Sequence, residues 1–428
     1  MQNTENLQNT ASAAVLQRWD TSYEWKAVTV LGLGFGLVGL DRWIIAPLFP
    51  FIMKDLHLGY QDLGSIVGIL GISWGISATV MGGISDRIGR RKVLIPAIFL
   101  FSILSIFSGL ASGLITLLII RSIMGIAEGS YCPTSFATTN DASEPKRRGL
   151  NIGMQGSTFG LFGLGFGPII ATQLMRVVPS WRWVFLVVAI PGLILGAFMF
   201  WIIREPSRDM ADKRDTADKP AMSLAWFKIF QHRNIGLSMA ALFCAMTGVF
   251  VLSAMVPNYL VDYLHLTAGQ MGFVTSGLGF GGFVGSFVIP GLSDLLGRRL
   301  VAVLSFVSAA LVLWAFIRTG ASPGVLFGLL FVTSLFTLGV VSMLSGPIAA
   351  EAAPAGLVSS SIGIVVGSGE IFGGIAQGIA GFLAQHFGIQ STLLLAMAGI
   401  VSGVIVCLFL KETAPKKLAR SVPVALAG

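Results

Sequence analysis

The sequence predicts an all-α membrane protein of twelve transmembrane helices, arranged as two pseudo-symmetric bundles of six. Three observations lead to this prediction: an apolar composition, twelve apolar segments of spanning length, and a charged motif that occurs twice. Of the 428 residues, 54% are hydrophobic and 11% are charged, and the mean hydropathy is +0.82. Because soluble domains carry about 25% charged residues, this composition indicates a membrane protein.

The apolar segments are long enough to cross a bilayer, since a spanning helix needs about 20 predominantly apolar residues. Polar and turn-rich points divide the chain into segments at 27–53, 62–84, 93–111, 113–138, 149–176, 182–203, 234–262, 269–290, 300–318, 323–348, 356–385 and 390–410. The break between the third and fourth segments is the least marked. The 53 glycines suit close packing of helices in lipid.

The distribution of basic residues supports twelve spans and orients them. With the N-terminus inside, 22 of the 28 Lys and Arg lie in inside segments and four lie outside, while Arg42 and Arg121 lie within spans. Since cytoplasmic loops carry the excess of basic residues, we expect both termini in the cytoplasm. The N-terminal region shows no pattern typical of a signal peptide, and we expect a bacterial inner (plasma) membrane location.

A short charged motif divides the chain into two halves. The stretch GISDRIGRR at 83–91 recurs as GLSDLLGRR at 291–299, 208 positions later, and each copy joins two predicted spans. We therefore predict an N-terminal tail (1–26), a first bundle (27–203), a linker loop (204–233), a second bundle (234–411) and a C-terminal tail (412–428). Parallel halves with a substrate site at their interface are typical of a large class of transporters.

The first copy, GGISDRIGRRK at 82–92, resembles the loop signature of the major facilitator superfamily. The resemblance implies that Asp86 and the nearby arginines latch the halves together on the cytoplasmic side in one state. The second copy departs from the first in having Leu295 at the position of Arg87. The predicted gating residues are Gly83, Asp86, Arg87, Gly89, Arg90, Asp294, Gly297 and Arg298. Simple anchoring by the basic residues is the preferred interpretation for Arg91 and Lys92.

Five ionisable residues lie inside predicted spans, where charge is costly and indicates function. They are Asp41 and Arg42 in the first span, Arg121 and Glu128 in the fourth, and Glu370 in the eleventh. Arg121 and Glu128 are seven positions apart, so they share one helix face at about 10 Å along the axis. Carboxylates that share a partly dry cavity with arginines can take up and release protons as their partners move. This is the chemistry that a proton-coupled carrier requires.

The Asp-Arg pair in the first span, with Arg and Glu seven apart in the fourth, resembles the anion:cation symporter branch of the superfamily. That branch carries organic acids, including sugar acids, together with protons. The resemblance implies that Asp41 and Glu128 are protonation sites, that Arg42 contacts the substrate anion and that Arg121 couples the two. Spinster-like lipid transporters have a similar arrangement and remain an alternative. A buried ion-pair network that only positions helices is a second alternative, although desolvation makes it costly.

Further substrate contacts are expected in both halves. The fifth span has Phe159 where a polar contact is expected and Gln155 one turn earlier, which favours an aromatic or aliphatic acid over a strongly hydroxylated one. Glu370 is expected either to face the substrate or to serve as a second proton site. The candidate contacts other than Arg42 are Gln155, Trp74, Tyr131, Ser345, Ser368 and Glu370.

A proton-driven drug exporter is the main alternative function. Gly163, Gly167 and Pro168 form a GxxxGP motif in the fifth span that resembles the signature of drug:proton antiporters. A kinked, tightly packed helix explains the same motif, and an exporter of cations does not need Arg42 in its cavity. The sequence contains no nucleophile elbow, metal-spaced His/Cys set or phosphate-binding loop. We therefore expect no enzyme activity and no metal or cofactor besides protons. The expected partners are a small organic anion and lipid, not nucleic acid, and the protein is expected to be monomeric.

Overall fold

The structure, a computed structural model, describes residues 19–205, 231–354 and 358–414, without the side chains of residues 82, 83, 86 and 358–360. Within these ranges the chain is helical and contains no strand, and twelve helices are long and apolar enough to cross a membrane. They confirm the twelve predicted spans. The helices are α1 (Thr21–Leu56), α2 (Tyr60–Ile88), α3 (Arg90–Gly109), α4 (Leu114–Ala142), α5 (Arg148–Leu174), α6 (Trp181–Ile202), α7 (Arg233–Tyr263), α8 (Ala268–Leu296), α9 (Arg298–Arg318), α10 (Pro323–Glu351), α11 (Val358–Phe387) and α12 (Gln390–Leu408).

Helix α1 is interrupted directly after its two charged residues. It consists of the segments Thr21–Trp43 and Ile45–Leu56, joined at Ile44. Pro47 lies four residues after Trp43 and has no N–H to donate to the Trp43 carbonyl. Such interruptions are tolerated at membrane depth where neighbouring groups satisfy the freed backbone. The break therefore leaves the backbone carbonyls of Asp41 and Arg42 in need of donors from other helices.

The two halves, α1–α6 and α7–α12, meet through equivalent helices. Helix α2 packs on α4 in its own half and on α11 across the interface, and α8 packs on α10 and on α5 in the same way. Helices α1 and α7 also meet, with Trp43 edge-on to Phe250 at 5.4 Å between ring centroids. The repeat detected in the charged loops thus extends to the packing of the whole molecule.

Glycines line these contacts and bring the helix backbones together. A Cβ at Gly68 of α2 would lie 2.6 Å from the carbonyl oxygen of Gly374 in α11. A Cβ at Gly279 of α8 would overlap the backbone nitrogen of Gly165 in α5. Small residues permit such close approach in lipid.

Helix α5 contains the GxxxGP motif within a local change of helical pitch. Residues Leu161–Phe166 form a π-helical segment. A Cβ at Gly163 would lie 2.6 Å from the carbonyl oxygen of Gly39 in α1. This contact favours the packing interpretation of the motif over the antiporter signature.

A polar contact closes the end of the interface next to the loop between α1 and α2. The Tyr60 hydroxyl donates to Asp262 Oδ2 at 2.7 Å, and the Tyr60 backbone N–H donates to Gln385 Oε1 at 3.0 Å. Both contacts join the first half to the second. We call this end, defined by Tyr60, Asp262 and Gln385, the closed end of the interface.

Gly279→Ala is expected to destabilise the protein by about 1–3 kcal/mol, the usual effect of overpacking, because the added methyl overlaps backbone across the interface. Thermal unfolding of the purified protein in detergent measures this effect. Gly328→Ala on α10 is the matched control, since no atom lies within 4 Å of its Cβ position and alanine is the better helix former. Equal melting temperatures for wild type and Gly279→Ala would contradict the packing described.

Candidate functional site

The five membrane-embedded charges gather where α1 is interrupted, between the two halves. Arg42 is 1% exposed, and its Nη2 donates to Glu370 Oε2 at 2.7 Å. This ion pair joins α1 of the first half to α11 of the second. The sequence identified both residues but did not predict that they are partners.

Two glycines of α2 make space for this ion pair. A Cβ at Gly71 would lie 3.4 Å from Arg42 Nη2, and a Cβ at Gly75 would lie 3.2 Å from the Glu370 Cβ. Larger side chains at these positions would crowd the two charged groups. The composition of α2 therefore matters for the site as well as for helix packing.

Aromatic rings surround the Arg42 guanidinium. Its central carbon lies 4.8 Å from the ring centroid of Phe250, 5.4 Å from Trp43, 5.8 Å from Trp74 and 5.9 Å from Phe159. Ring faces attract a cation at such distances. The Nε and Nη1 atoms of Arg42 and the indole N–H groups of Trp43 and Trp74 have no protein partner. Four buried donor atoms at this site therefore have no partner in the protein.

Glu128 is buried and makes no structural hydrogen bond. It has 0% exposure, and neither carboxyl oxygen has a partner. It lies within electrostatic range of Arg42, Asp41, Arg121 and Glu370. A buried polar group without a partner carries a desolvation cost, so a role in fixing helix positions does not account for Glu128.

Asp41 and Arg121 stabilise the interruption in α1. The Ser105 hydroxyl of α3 donates to Asp41 Oδ1 at 2.9 Å. Arg121 Nη1 donates to the backbone carbonyls of Asp41 at 3.0 Å and of Arg42 at 3.4 Å. A cation is favourable at carbonyls that end a helical segment. Arg121 therefore links α4 to the interruption in α1, while its Nε and Nη2 remain without a partner.

Two predicted contacts, Tyr131 and Gln155, lie within the first half and have partners there. The Tyr131 hydroxyl donates to the Leu31 carbonyl at 3.3 Å. The Gln155 amide donates to Ser135 Oγ at 2.8 Å and its carbonyl accepts from the Thr139 hydroxyl. Neither residue bonds to Arg42 in the structure. Their contact with substrate stays a prediction.

The predicted serine contacts of the second half bond to their own helices. Ser345 donates to the Val341 carbonyl at 2.7 Å and Ser368 to the Val365 carbonyl at 2.8 Å. Each hydroxyl satisfies a local carbonyl, as serine often does within helices. Their substrate roles also stay predictions.

The two charged loops have the same construction. Gly89 and Gly297 have φ values of 104° and 102°, a region that favours glycine. Arg90 forms an ion pair with Asp141, and Arg298 forms one with Glu351 at 2.8 Å. These pairs join helices of the same half.

The described side chains of the other predicted gating residues give no ion pair to the other half. Asp294 pairs with Arg298 at 2.6 Å, which joins the end of α8 to the start of α9, and Arg87 is exposed. Gly83 and the Asp86 side chain lie outside the described residues. A latch between the halves at these loops stays a prediction.

Two glutamates that bind these loops, one after α6 and one after α12, were not singled out by the sequence patterns. Glu205 accepts from the backbone N–H groups of Arg90 and Arg91 at 2.9 and 3.2 Å. Glu412 accepts in the same way from Arg298 and Arg299 at 2.8 and 3.3 Å. The internal repeat carries the signal, because Arg204-Glu205 and Lys411-Glu412 are 207 positions apart.

The backbone contacts of Glu412 lower the pKa of its carboxyl group. Partial burial raises the pKa of Glu412, but donation by backbone N–H groups, including those of Ala414, Arg298 and Arg299, outweighs burial. The net effect holds this pKa below its ordinary value of 4.5. Glu412 therefore stabilises the loop in its ionised form.

Two packed helical halves with a buried, charged site between them define a membrane transporter. A family model described as Major Facilitator Superfamily matches residues 31–257 and 238–425, and the chain belongs to this superfamily. It is thus a multi-pass membrane protein and a secondary transporter, not an enzyme.

Relatives and a solved structure agree with this assignment. The hexuronate transporter of Bacillus subtilis is 28% identical over 347 residues, covering 79% of this chain and 76% of the relative. The D-galactonate transporter of Escherichia coli O6:H1 is 24% identical and covers 85% and 90%. The crystal structure of a bacterial homolog of the human lysosomal transporter Spinster, inward-facing and occupied, has a TM-score of 0.73 at 17% identity. It covers 90% of this chain and 96% of that chain, and this likeness shows the fold.

Glu128→Gln is expected to leave the melting temperature unchanged or raise it, because the carboxylate has no partner to lose. The matched comparison is Glu24→Gln, since Glu24 is equally buried but accepts from Arg147 Nη2 at 2.6 Å and Asn151 at 2.8 Å. Loss of such charged hydrogen bonds costs about 1.5–3 kcal/mol. Thermal unfolding of both variants separates the two cases. A large destabilisation by Glu128→Gln would show that Glu128 is structural.

Proposed function

We propose that the protein takes up a small organic anion, such as an aromatic or sugar carboxylate, by proton-coupled symport. The observation that carries this proposal is Arg42, a buried guanidinium at the junction of the halves that lies among aromatic side chains and has two nitrogen atoms without a protein partner. The proposed location is the inner membrane, with both termini in the cytoplasm. The closed end of the interface is then the extracytoplasmic end.

The chemistry around Arg42 favours an anion with an apolar body. A guanidinium matches the two oxygens of a carboxylate with parallel hydrogen bonds. The indole N–H groups of Trp43 and Trp74 add two further donors, and the rings of Phe159 and Phe250 offer apolar surface. Relatives named for hexuronate and D-galactonate support a carboxylate substrate. A cationic drug would instead meet a like charge.

Glu128 is the proposed main site of proton coupling. An ionised carboxylate without a hydrogen-bond partner in a buried site is unfavourable, so Glu128 gains from taking a proton when substrate arrives. Asp41 is the second proposed proton site. Arg121 links α4 to this part of α1, because it donates to the backbone carbonyls of Asp41 and Arg42. Protons that accompany the anion also reduce the net charge crossing the membrane, which costs about 2.3 kcal/mol per charge per 100 mV.

Proteoliposomes with an inward proton gradient test this function with labelled benzoate, D-glucuronate and D-galactonate. We expect at least one acid to accumulate, and Arg42→Ala to abolish this uptake because the anion loses its charged partner. Arg318→Ala, which removes a cation at the end of α9, is the matched control and is expected to transport normally. No uptake of any acid, together with proton-driven loss of a cationic dye or movement of a labelled lysolipid, would overturn the proposal.

Glu128→Gln is expected to abolish accumulation driven by the proton gradient but to preserve exchange of labelled for unlabelled acid. Glutamine keeps the volume of the side chain but cannot carry the proton, whereas exchange requires only binding and reorientation. Accumulation of labelled acid under the inward proton gradient measures the first activity. Counterflow in the same vesicles measures exchange. If a folded Glu128→Gln protein loses both, Glu128 acts in binding rather than in coupling.

A further inference from the structure

Glu370 occupies the position on Arg42 that the proposed function gives to the substrate. Its Oε2 atom lies 2.7 Å from Arg42 Nη2, which is a normal distance for a guanidinium–carboxylate bond. The Arg42 side chain is 0% exposed and that of Glu370 is 9% exposed. The protein thus supplies its own carboxylate to the anion site.

We propose that Glu370 is an internal competitor for this site, which the substrate carboxylate displaces and which takes up a proton as it leaves Arg42. This proposal rests on the proposed function and adds a third proton-carrying carboxylate to it. Glu370 then determines specificity, because only a ligand with an anionic group can replace it. The exchange also makes proton uptake a condition of binding.

Geometry supports competition rather than simultaneous binding. Both bidentate edges of a guanidinium, Nη1 with Nη2 and Nε with Nη2, include Nη2, and Glu370 already takes one of its two N–H groups. A second carboxylate on the remaining edge would share Nη2 with Glu370 and lie beside it, where like charges repel.

Charge balance requires the proton. In the exchange, the ion pair between Glu370 and Arg42 breaks, and one between the substrate carboxylate and Arg42 forms. The displaced carboxylate would remain buried and unpaired, which is strongly unfavourable, unless its oxygen takes a proton from the compartment that supplies the substrate. One anion and one proton enter the site together, and the net charge of the site does not change.

Among the described residues, Arg42 is the cation that forms an ion pair with Glu370. The ionisable groups that face the pair from α1 and α4 are Asp41, Arg121, Glu128 and Cys132, and Arg121 donates to the backbone of α1. Helix α2 presents Gly71 and Gly75. Among the described residues of α7 and α12, the ionisable groups are Arg233, Asp262 and the Tyr259 and Tyr263 hydroxyls toward the ends of α7, and the thiols Cys244 and Cys407.

The same ion pair also joins the halves, so an experiment must separate competition from loosening. Tyr60→Phe provides this control, because it removes the bond to Asp262 at the closed end and leaves Arg42 untouched. Glu370→Asp provides a second comparison. It retains the charge but shortens the reach to Arg42 by one methylene.

Isothermal titration calorimetry of the full-length detergent-purified protein with benzoate, D-glucuronate and D-galactonate tests the proposal. Titration at pH 7.5 in two buffers of different protonation heat gives the dissociation constant and the protons taken up per acid bound. We expect Glu370→Gln to bind acid about tenfold more tightly than wild type and to take up about one proton fewer. Glu370→Asp is expected to bind more tightly with unchanged proton uptake, and Tyr60→Phe to take up protons as wild type does.

Each outcome decides between the two proposals. Acid binding by wild type, with equal or weaker binding and equal proton uptake in Glu370→Gln, would overturn the competition and leave the proposed function standing. The same tightening in Tyr60→Phe would assign the effect to loosening and also overturn it. Binding of no acid by any of the proteins would overturn the proposed function and the competition together. If Glu370→Gln does not give a monodisperse protein, the affinity of Glu370→Asp decides.

Discussion

A guanidinium buried between two helical bundles must be compensated, and this requirement organises the centre of the molecule. The Arg42 guanidinium is compensated by Glu370 from the other half and by the faces of four aromatic rings, and no other described residue bonds to it. Gly71 and Gly75 of α2 leave space for this ion pair, since larger side chains there would crowd Arg42 and Glu370. Arg42 lies at the interruption of α1, where Arg121 donates to the backbone carbonyls of Asp41 and Arg42. Removing one element of this arrangement leaves another without its partner.

The interface around this centre suits repeated opening and closing. Its helix contacts are lined by glycine, so backbones meet over short distances without interlocking side chains. Among the described residues, the hydrogen bonds that cross the interface lie at the ion pair and at the closed end. The ion pairs of the charged loops, by contrast, join helices within one half. Ion pairs therefore stabilise each half internally, while the polar contacts between the halves are few.

Much of the fold could be predicted because length and hydropathy decide it. Twelve apolar segments and one repeated motif are local features, and bilayer thickness converts them directly into helices. The charged residues of the site were equally visible, since an ionisable residue inside a span such as Glu128 is rare and costly. The ion pair was not, because Arg42 and Glu370 are 328 positions apart and meet only through packing of the halves. Tyr131 and Gln155 show the same limit, since the rotation of α4 and α5 directs them at neighbours within the first half.

If Arg42 exchanges Glu370 for the substrate carboxylate, the displaced Glu370 carboxyl becomes protonated. Infrared difference spectroscopy on binding of ¹³C-carboxyl-labelled benzoate reports this directly, because isotopic labelling moves the bands of the ligand away from those of the protein. We expect a new carbonyl band from a protonated carboxyl group in wild type that is missing from the corresponding Glu370→Gln spectrum. An identical protonated-carboxyl band in both proteins would contradict it.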